Sequence, residues 1–186
     1  MLSTTLKPKE CATCRTSFMP VRPMQKVCSP NCAHRKVEAD KKAERVETRE
    51  RKEAVKRTRD LLAEAQVAFN AFIRARDAGL SCICCGKPFE PEKPGGAVDA
   101  GHFRSRGAAP QLRFDEDNVF AQRKNCNRPG GTTYAAFRAG VVARIGEARV
   151  QALESNDQVI KWDRETLRQI KTIYRAKARA LKKEQQ

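Results

Sequence analysis

Histidine and aromatic residues are scarce in this chain of 186 residues, which has two His, one Trp and two Tyr. Aromatic residues make up 6% of the sequence, whereas charged residues make up 32%. So few large apolar side chains predict that no single large core forms and that metal ions contribute to folding. Because imidazole titrates near neutral pH, His102 is a candidate for acid–base chemistry, whereas His34 directly follows the cysteine-rich N-terminal segment and is predicted to start a helix.

Long apolar runs are absent as well. No stretch of 18 apolar residues occurs, so the sequence predicts no transmembrane helix. The first ten residues, MLSTTLKPKE, lack the apolar segment of a signal peptide. We therefore expect a cytoplasmic protein with no membrane partner, in which cysteines serve as metal ligands rather than in disulfides.

Acidic residues are also few relative to basic ones. The chain has 22 Asp and Glu against 38 Lys and Arg, which gives a formal net charge of +16. Such an excess favours nucleic acid as the partner, because neutralising phosphates releases counterions and drives sequence-independent binding. The alternative, a charge that only keeps the protein soluble, does not require so one-sided a balance.

Four of the eight cysteines form two closely spaced pairs near the N-terminus, Cys11 with Cys14 and Cys28 with Cys32. Two turns that each present two thiolates are typical of a closed, tetrahedral Zn²⁺ site. We predict a structural zinc unit over residues 1–33.

The rest of the chain divides by composition into three regions. Residues 34–78 contain no Gly or Pro before Gly79 and predict a long charged helix or connector. Residues 79–131 hold the remaining cysteines, a cysteine-rich turn and loop over Cys82–Gly96, and little helical pattern. Residues 132–186 predict a helical C-terminal region, with helices over Tyr134–Ile145 and Arg164–Leu181.

Local patterns refine this division. Apolar residues at helical spacing predict buried faces in two places. They are Leu61, Leu62, Ala65, Ala68, Phe69, Phe72 and Ile73 in the connector, and Leu167, Ile170, Ile173, Tyr174 and Leu181 near the C-terminus. Asp163 is the predicted N-cap of the last helix. We also predict a strand over Val98–Phe103, an extended piece at Leu112–Phe114, and a helix towards the end of Asn118–Asn127.

Between Cys82 and Arg128 the motifs CICCG, DAGH, DEDN and CN follow one another. This order resembles the HNH, or ββα-metal, nuclease module, in which a strand ends in a general-base histidine, an asparagine follows in a loop, and a helix supplies a metal ligand. The resemblance implies His102 as the base, Asn118 as the middle asparagine, and Asn127 where the last histidine usually stands. The predicted fold is therefore mostly α, with a small HNH-like core and an N-terminal zinc-binding unit.

Asp99 adds a carboxylate three residues before His102. A hard divalent cation held by Asp99 and the Asn127 side-chain oxygen would keep several waters, which favours Mg²⁺ or Mn²⁺ over Zn²⁺. His102 would accept a proton from the attacking water, and Asn118 would orient it by hydrogen-bonding its ring or backbone. Alternation along a strand puts Asp99 and His102 on opposite faces, so their convergence requires local twist.

Cys82, Cys85 and Cys126 are candidate ligands of a second zinc site. Arg123 stands where a second CxxC pair would have its first cysteine, and adjacent Cys84 and Cys85 can hardly bind one ion together. Three alternatives follow: zinc with three thiolates and a water, completion by a loop group, or no metal.

Several motifs also resemble the NinG (Rap) recombination proteins of lambda-like phages. They are CxxC and CSPxC near the N-terminus, FNAFIRARD, DAGH and APQLRF, and ARIGEARVQALES near the C-terminus, so the resemblance covers nearly the whole chain. It implies a structure-specific, metal-dependent DNA endonuclease that cuts Holliday junctions and D-loops in the phage-infected bacterial host. Symmetric cutting of a junction needs two active sites, so we expect a homodimer, with phage or host recombination proteins as further partners.

Phosphate contacts are predicted from basic residues around the presumed site. These are Arg104, Arg106, Arg113, Arg123, Lys124 and Arg128. The alternative function is a non-catalytic, zinc-dependent accessory protein that binds branched or single-stranded nucleic acid, and a third is an RNA-binding zinc protein.

Overall fold

The computed structural model describes residues 6–89 and 98–185, which form two compact units that meet in sequence at Lys56 and Arg57. The end of the predicted loop after Cys82 lies outside the described residues. The described elements are β1 (Lys9–Glu10), β2 (Ser17–Phe18), α1 (Pro30–Ala54), α2 (Thr58–Arg76), β3 (Val98–His102), a 3-10 turn (Pro110–Leu112), β4 (Val119–Arg123), α3 (Tyr134–Ile145), α4 (Glu147–Glu154) and α5 (Arg164–Glu184).

The N-terminal unit consists of a two-stranded antiparallel sheet, β1 with β2, and the long helix α1. The Ser29 hydroxyl accepts a hydrogen bond from the Cys32 backbone N–H at 3.2 Å, and Pro30 occupies the first turn. Both are strong helix-start signals. Helix α1 therefore begins ahead of residue 34, and Cys32 lies on its first turn.

Residues 34–78 form parts of two helices, whereas the sequence predicts one long charged helix or connector over this stretch. Helix α1 ends at Ala54, and Arg57 has extended backbone with φ −80° and ψ 160°. The Asp60 carboxylate accepts a hydrogen bond from the Arg57 backbone N–H at 3.1 Å and so caps a new helix. A capping side chain separates two helices without Gly or Pro, which is why composition alone does not reveal the break.

The second unit is built around the packing of α2 on α5. The predicted apolar face of α2 is confirmed, because four of its side chains are fully buried: Leu61, Ala65, Phe69 and Ile73. The Phe69 ring meets the Tyr174 ring edge-on, with 4.6 Å between centroids. Ile173 was predicted on the buried stripe of α5 but is 51% exposed, because it lies about 100° around the helix from Tyr174.

Strands β3 and β4 pair in antiparallel register, with His102 opposite Val119. Val119 joins the apolar cluster of α2 and α5, and Phe120 joins a second cluster with α3 and α4, so both faces of the sheet are covered. The β3 prediction is confirmed. Two other predictions are wrong: Pro110 starts a 3-10 turn instead of an extended piece, and β4 followed by turns occupies the place of the helix towards Asn127.

Helix α3 has the predicted bounds, and the predicted N-cap of α5 is confirmed. The Asp163 carboxylate accepts hydrogen bonds from the backbone N–H groups of Glu165 and Thr166, each at 2.9 Å. Among the described helices, none combines the length and apolar character needed to cross a membrane.

Candidate functional site

The four cysteines of the N-terminal unit bring their sulfur atoms together. Cys28 Sγ lies 3.6 Å from both Cys14 Sγ and Cys32 Sγ, and with Cys11 all four sulfurs lie within 4.8 Å of one another. Zn–S bonds of about 2.3 Å in a tetrahedron give sulfur–sulfur edges of about 3.8 Å. This cluster could therefore hold a metal ion such as Zn²⁺.

The protonation of these thiols agrees with that role. Hydrogen bonds from backbone N–H groups, that of Cys14 foremost, lower the pKa of Cys11 to about 6. Interaction with the neighbouring sulfurs, Cys14 first and Cys32 next, raises the pKa of Cys28 to about 12. Four thiols this close cannot all ionise unless a cation neutralises them, so the donor set suits a bound dication.

The second cluster brings together Cys82, Cys85 and Cys126, whose sulfurs also lie within 4.8 Å of one another. Cys84 takes no part in it, because its sulfur accepts a hydrogen bond from Gln122 Nε2 at 2.6 Å. Within residues 6–89 and 98–185, no fourth Cys, His, Asp or Glu joins the cluster. The cluster could hold a metal through three thiolates.

Arg123 lies against this cluster, since its backbone N–H donates to Cys82 Sγ at 3.3 Å. We expect Arg123→Cys to supply a fourth thiolate in CxxC spacing with Cys126, and to raise both the zinc content per chain and the melting temperature. Elemental analysis and thermal unfolding measure the two effects. Lys124→Cys is the control, because it adds a thiol one position out of register. If Arg123→Cys leaves both values unchanged, the three cysteines do not form a metal site.

A polar pocket at the end of β3 brings together three of the four predicted catalytic and metal-binding residues, Asp99, His102 and Asn127. Arg106 also lines it, and helix α2 contributes Asn70 and Arg74. Although strand alternation separates Asp99 from His102, both side chains line the same pocket. The arrangement places a carboxylate, an imidazole and two guanidinium groups around one space.

The ring of His102 is held by the backbone. Its Nε2 lies 3.1 Å from the carbonyl oxygen of Arg113. A carbonyl only accepts, so we assign the proton of the neutral ring to Nε2, which leaves Nδ1 with a free lone pair. Burial, followed by the charges of Arg106 and Arg113, lowers the pKa of His102 to about 4. The ring is therefore neutral at neutral pH and able to accept a proton.

Asp99 and Asn127 are in direct contact, with 3.2 Å between Asp99 Oδ2 and the side-chain nitrogen of Asn127. Asn127 is exposed and lies in a turn after β4. In this arrangement the Asn127 amide nitrogen donates to the Asp99 carboxylate. To hold a small, hard dication together with Asp99, the amide would turn its oxygen towards the ion, because such cations take oxygen ligands.

Within the described residues the Asn118 side chain makes no hydrogen bond to His102, contrary to the predicted bond to its ring or backbone. Its buried side chain accepts from the Arg104 N–H at 2.8 Å and donates to the carbonyls of Arg104 and Leu112, each at 3.0 Å. These bonds close the loop between β3 and β4, which carries the Arg113 carbonyl that holds the histidine. Asn118 thus bears on the position of His102 only indirectly, through this loop.

The predicted phosphate-binding residues differ in their surroundings. The Arg104 guanidinium donates to the carbonyls of Leu153, Glu154 and Asn156, so it caps the C-terminus of α4 and is not directed at a ligand. The Arg113 side chain donates to Gln66 Oε1 at 2.9 Å. Of the predicted set, Arg106 lines the pocket; Arg128 is exposed, whereas Arg123 and Lys124 are partly buried.

Sequence reasoning missed Asn70 and Arg74. With Gln66 they form a polar line at spacing four beside the buried face of α2. Gln66 Nε2 donates to Asn70 Oδ1 at 2.7 Å, which leaves the Asn70 amide nitrogen as a donor. Arg74 is exposed. The available signal was the FNAFIRARD block, in which polar residues interrupt an apolar helix face.

Comparison with known proteins identifies the family. The family described as "Bacteriophage Lambda NinG protein" matches residues 3–184. The chain belongs to the NinG family. "Protein ninG" of Salmonella phage P22 is 36% identical over 188 residues, which cover 91% of this chain and 90% of that protein. "Protein ninG" of Escherichia phage lambda is 35% identical, with the same coverage, and that of Escherichia phage 933W is 40% identical over 132 residues, or 71% and 63% of the two chains.

No solved structure matches the chain. The names of its NinG relatives state no activity, and an HNH core is not shown. Strands β3 and β4 form the expected pair, but residues 124–132 form turns and bends, and α3 begins only at Tyr134. The family is thus established from the sequence, whereas the chemistry of the pocket rests on its own geometry.

Proposed function

We propose that this NinG protein is a divalent-metal-dependent endonuclease that cuts branched DNA intermediates of phage recombination. The observation that carries the proposal is the single pocket that holds Asp99, His102 and Asn127 next to two arginines. Hydrolysis of a phosphodiester uses three such kinds of group: a base that takes a proton from water, a site that binds a cation, and positive charge that contacts the phosphate oxygens.

The residues divide the reaction as follows. His102 Nδ1 takes a proton from water, the water oxygen forms a bond to phosphorus, and the bond from phosphorus to the 3′ oxygen breaks. Asp99 and Asn127 would hold Mg²⁺ or Mn²⁺, which supplies stabilisation of charge on the leaving oxygen. Arg74 and Arg106, which line the pocket, would bind the nonbridging phosphate oxygens, and Asn70 would add a further donor.

Among the described residues the pocket lining is polar, with Ala100 its single apolar member, and it includes two arginines. Such a lining suits a phosphate backbone better than the flat face of a base. Phosphate contacts position a protein on DNA but carry no sequence information, so selectivity would come from the shape of the branched substrate. The net charge of +16 is in keeping with such binding.

A substrate panel tests the proposal. With Mg²⁺ or Mn²⁺ we expect the purified protein to cut a four-way junction and a D-loop more than about tenfold faster than a linear duplex of the same sequence, because a branch offers arms to separate phosphate contacts. No cutting is expected without added divalent metal. Labelled products resolved on denaturing gels give the rates.

The same panel examines the second candidate, a zinc-dependent accessory protein that binds branched nucleic acid without cutting it. The turn position of Asn127 and its contact with Asp99, in place of a helix-borne histidine, favour that candidate. Tight, salt-sensitive junction binding with no product under any metal would support it and contradict the endonuclease. Competition by structured RNA would support the RNA-binding alternative.

A further inference from the structure

Helix α1 is a long helix with almost no buried surface. Over its 25 residues the single buried side chain is Cys32, which belongs to the metal cluster. A helix that is polar on all sides either relies on side-chain ion pairs or serves as a surface for something else. The charges of α1 are distributed in a way that separates these two roles.

Basic residues gather on one side of α1. With 3.6 residues per turn, five of them fall within an arc of about 100° over three turns. This basic stripe consists of Lys41, Lys42, Arg45, Arg49 and Lys52. All five are exposed, and within the described part of the chain none of them makes an ion pair.

Most acidic residues of α1 and two of its i, i+4 ion pairs lie on the opposite side, whereas Glu38 and Glu53 lie at the two ends of the stripe side. Lys36 Nζ lies 2.9 Å from Asp40, and the Arg51 guanidinium lies 2.8 Å from Glu47, both at the i, i+4 spacing that stabilises a helix. Two functions of charge are thus separated on one helix. The ion-paired side stabilises the helix. The basic stripe makes no ion pair in the described part of the chain, so helix stability does not explain its charges.

We propose that the basic stripe binds the phosphate backbone of one arm of duplex DNA, which rests on the proposed function. From Lys41 to Lys52 the helix rises about 16 Å, and one DNA strand carries a phosphate every 3.4 Å or so along its axis, so five charges face about five phosphates. The stripe has no apolar anchor among its members, which distinguishes it from a protein–protein interface. The proposed partner of the stripe is therefore the row of phosphates along a DNA strand.

The test compares two doubly substituted full-length proteins that lose the same charge. Arg45→Gln with Arg49→Gln removes two members of the stripe, and Lys36→Gln with Arg51→Gln removes two positive charges from the ion-paired side. Glutamine keeps a good helix propensity in every case, and circular dichroism verifies helix content. Dissociation constants for a linear duplex and a four-way junction are measured over a range of salt, without added divalent metal.

We expect the stripe variant to bind duplex and junction about 60-fold more weakly than wild type near 0.1 M salt, since each lost phosphate contact forgoes about 0.9 released counterion. The slope of log K against log salt should fall by about 2. The ion-paired control should change affinity by less than about threefold, because its two cations are already paired with carboxylates and lie on the side of α1 away from the stripe.

Equal losses in the two variants would mean that only net charge matters and would overturn the stripe, as would wild-type affinity in both. Preference for duplex RNA over duplex DNA would overturn it too.

If wild type binds junctions without cutting them, the endonuclease proposal is contradicted. The stripe is still supported in that case if the two variants differ as stated. A wild type that cuts while the stripe variant binds normally contradicts the stripe alone. Wild type that binds no DNA overturns both.

Discussion

Replacing His102 with alanine or glutamine is expected to slow junction cleavage by about 10²–10⁴-fold, the usual contribution of a general base. Glutamine retains an N–H group of similar reach towards the Arg113 carbonyl but has no basic nitrogen. Loss of activity in both variants would therefore assign the effect to proton transfer and not to the hydrogen bond of 3.1 Å. Single-turnover rates on a labelled junction with Mg²⁺ measure the change.

The other histidine provides the matched control. His34 is exposed on α1, and His34→Ala should cut at the wild-type rate. Circular dichroism of each variant shows whether the fold is retained. Undiminished cleavage by folded His102→Ala would remove the proposed mechanism, whatever DNA binding remains.

The pH dependence of cleavage gives a second measurement of the same residue. Burial, with the nearby Arg106 and Arg113 charges, lowers the pKa of His102 to about 4, which is below the value of 6.5 for a free imidazole. The neutral, proton-accepting form therefore persists as the pH falls through 6.5 and is lost only in more acidic solution. An acid limb centred at pH 6.5 or above would contradict this environment for the base.

Replacing Cys28 with serine is expected to remove one zinc ion per chain and to unfold the N-terminal unit. Cys28 is the sulfur with two neighbours at 3.6 Å, and the described residues of this unit bury little besides Cys11, Cys32 and Pro20. Structural Zn²⁺ contributes an apparent binding free energy of about 10–16 kcal/mol in isolated zinc fingers, far more than so small a core supplies. Elemental analysis and limited proteolysis of residues 6–29 measure the two effects.

Cys84 is the control for this experiment, because its thiol lies outside both clusters and accepts a hydrogen bond from Gln122. Cys84→Ser should retain the wild-type zinc content. If Cys28→Ser binds as much zinc as wild type and resists protease equally, the first cluster is not a metal site. Less than one zinc per wild-type chain after metal-free purification would lead to the same conclusion.

The fold was predictable where the pattern is long and periodic. The apolar face of α2, helix α3 and the Asp163 cap of α5 follow from spacing alone. The break between α1 and α2 was not predictable from composition, because it depends on one side-chain cap by Asp60. The strand β4 was missed because VFAQR is too short for its periodicity to distinguish a strand from a helix.

The candidate site was predictable as a set of residue types but not as a set of contacts. The order of Asp99, His102 and Asn127 along the chain suggested a pocket, and the structure gathers them in one. Spacing could not reveal that Asn118 acts through the loop, or that the Arg104 side chain turns towards α4, since both depend on residues distant in sequence. The contribution of α2 to the pocket required tertiary packing for the same reason.

The Asn118 side chain makes three hydrogen bonds inside the protein, to partners that all belong to the loop between the two strands. The fold itself therefore fixes the loop that carries the Arg113 carbonyl, and with it the direction of the His102 imidazole. If the pocket acts on a phosphodiester as proposed, the ring would meet it already aligned, without reordering of this loop.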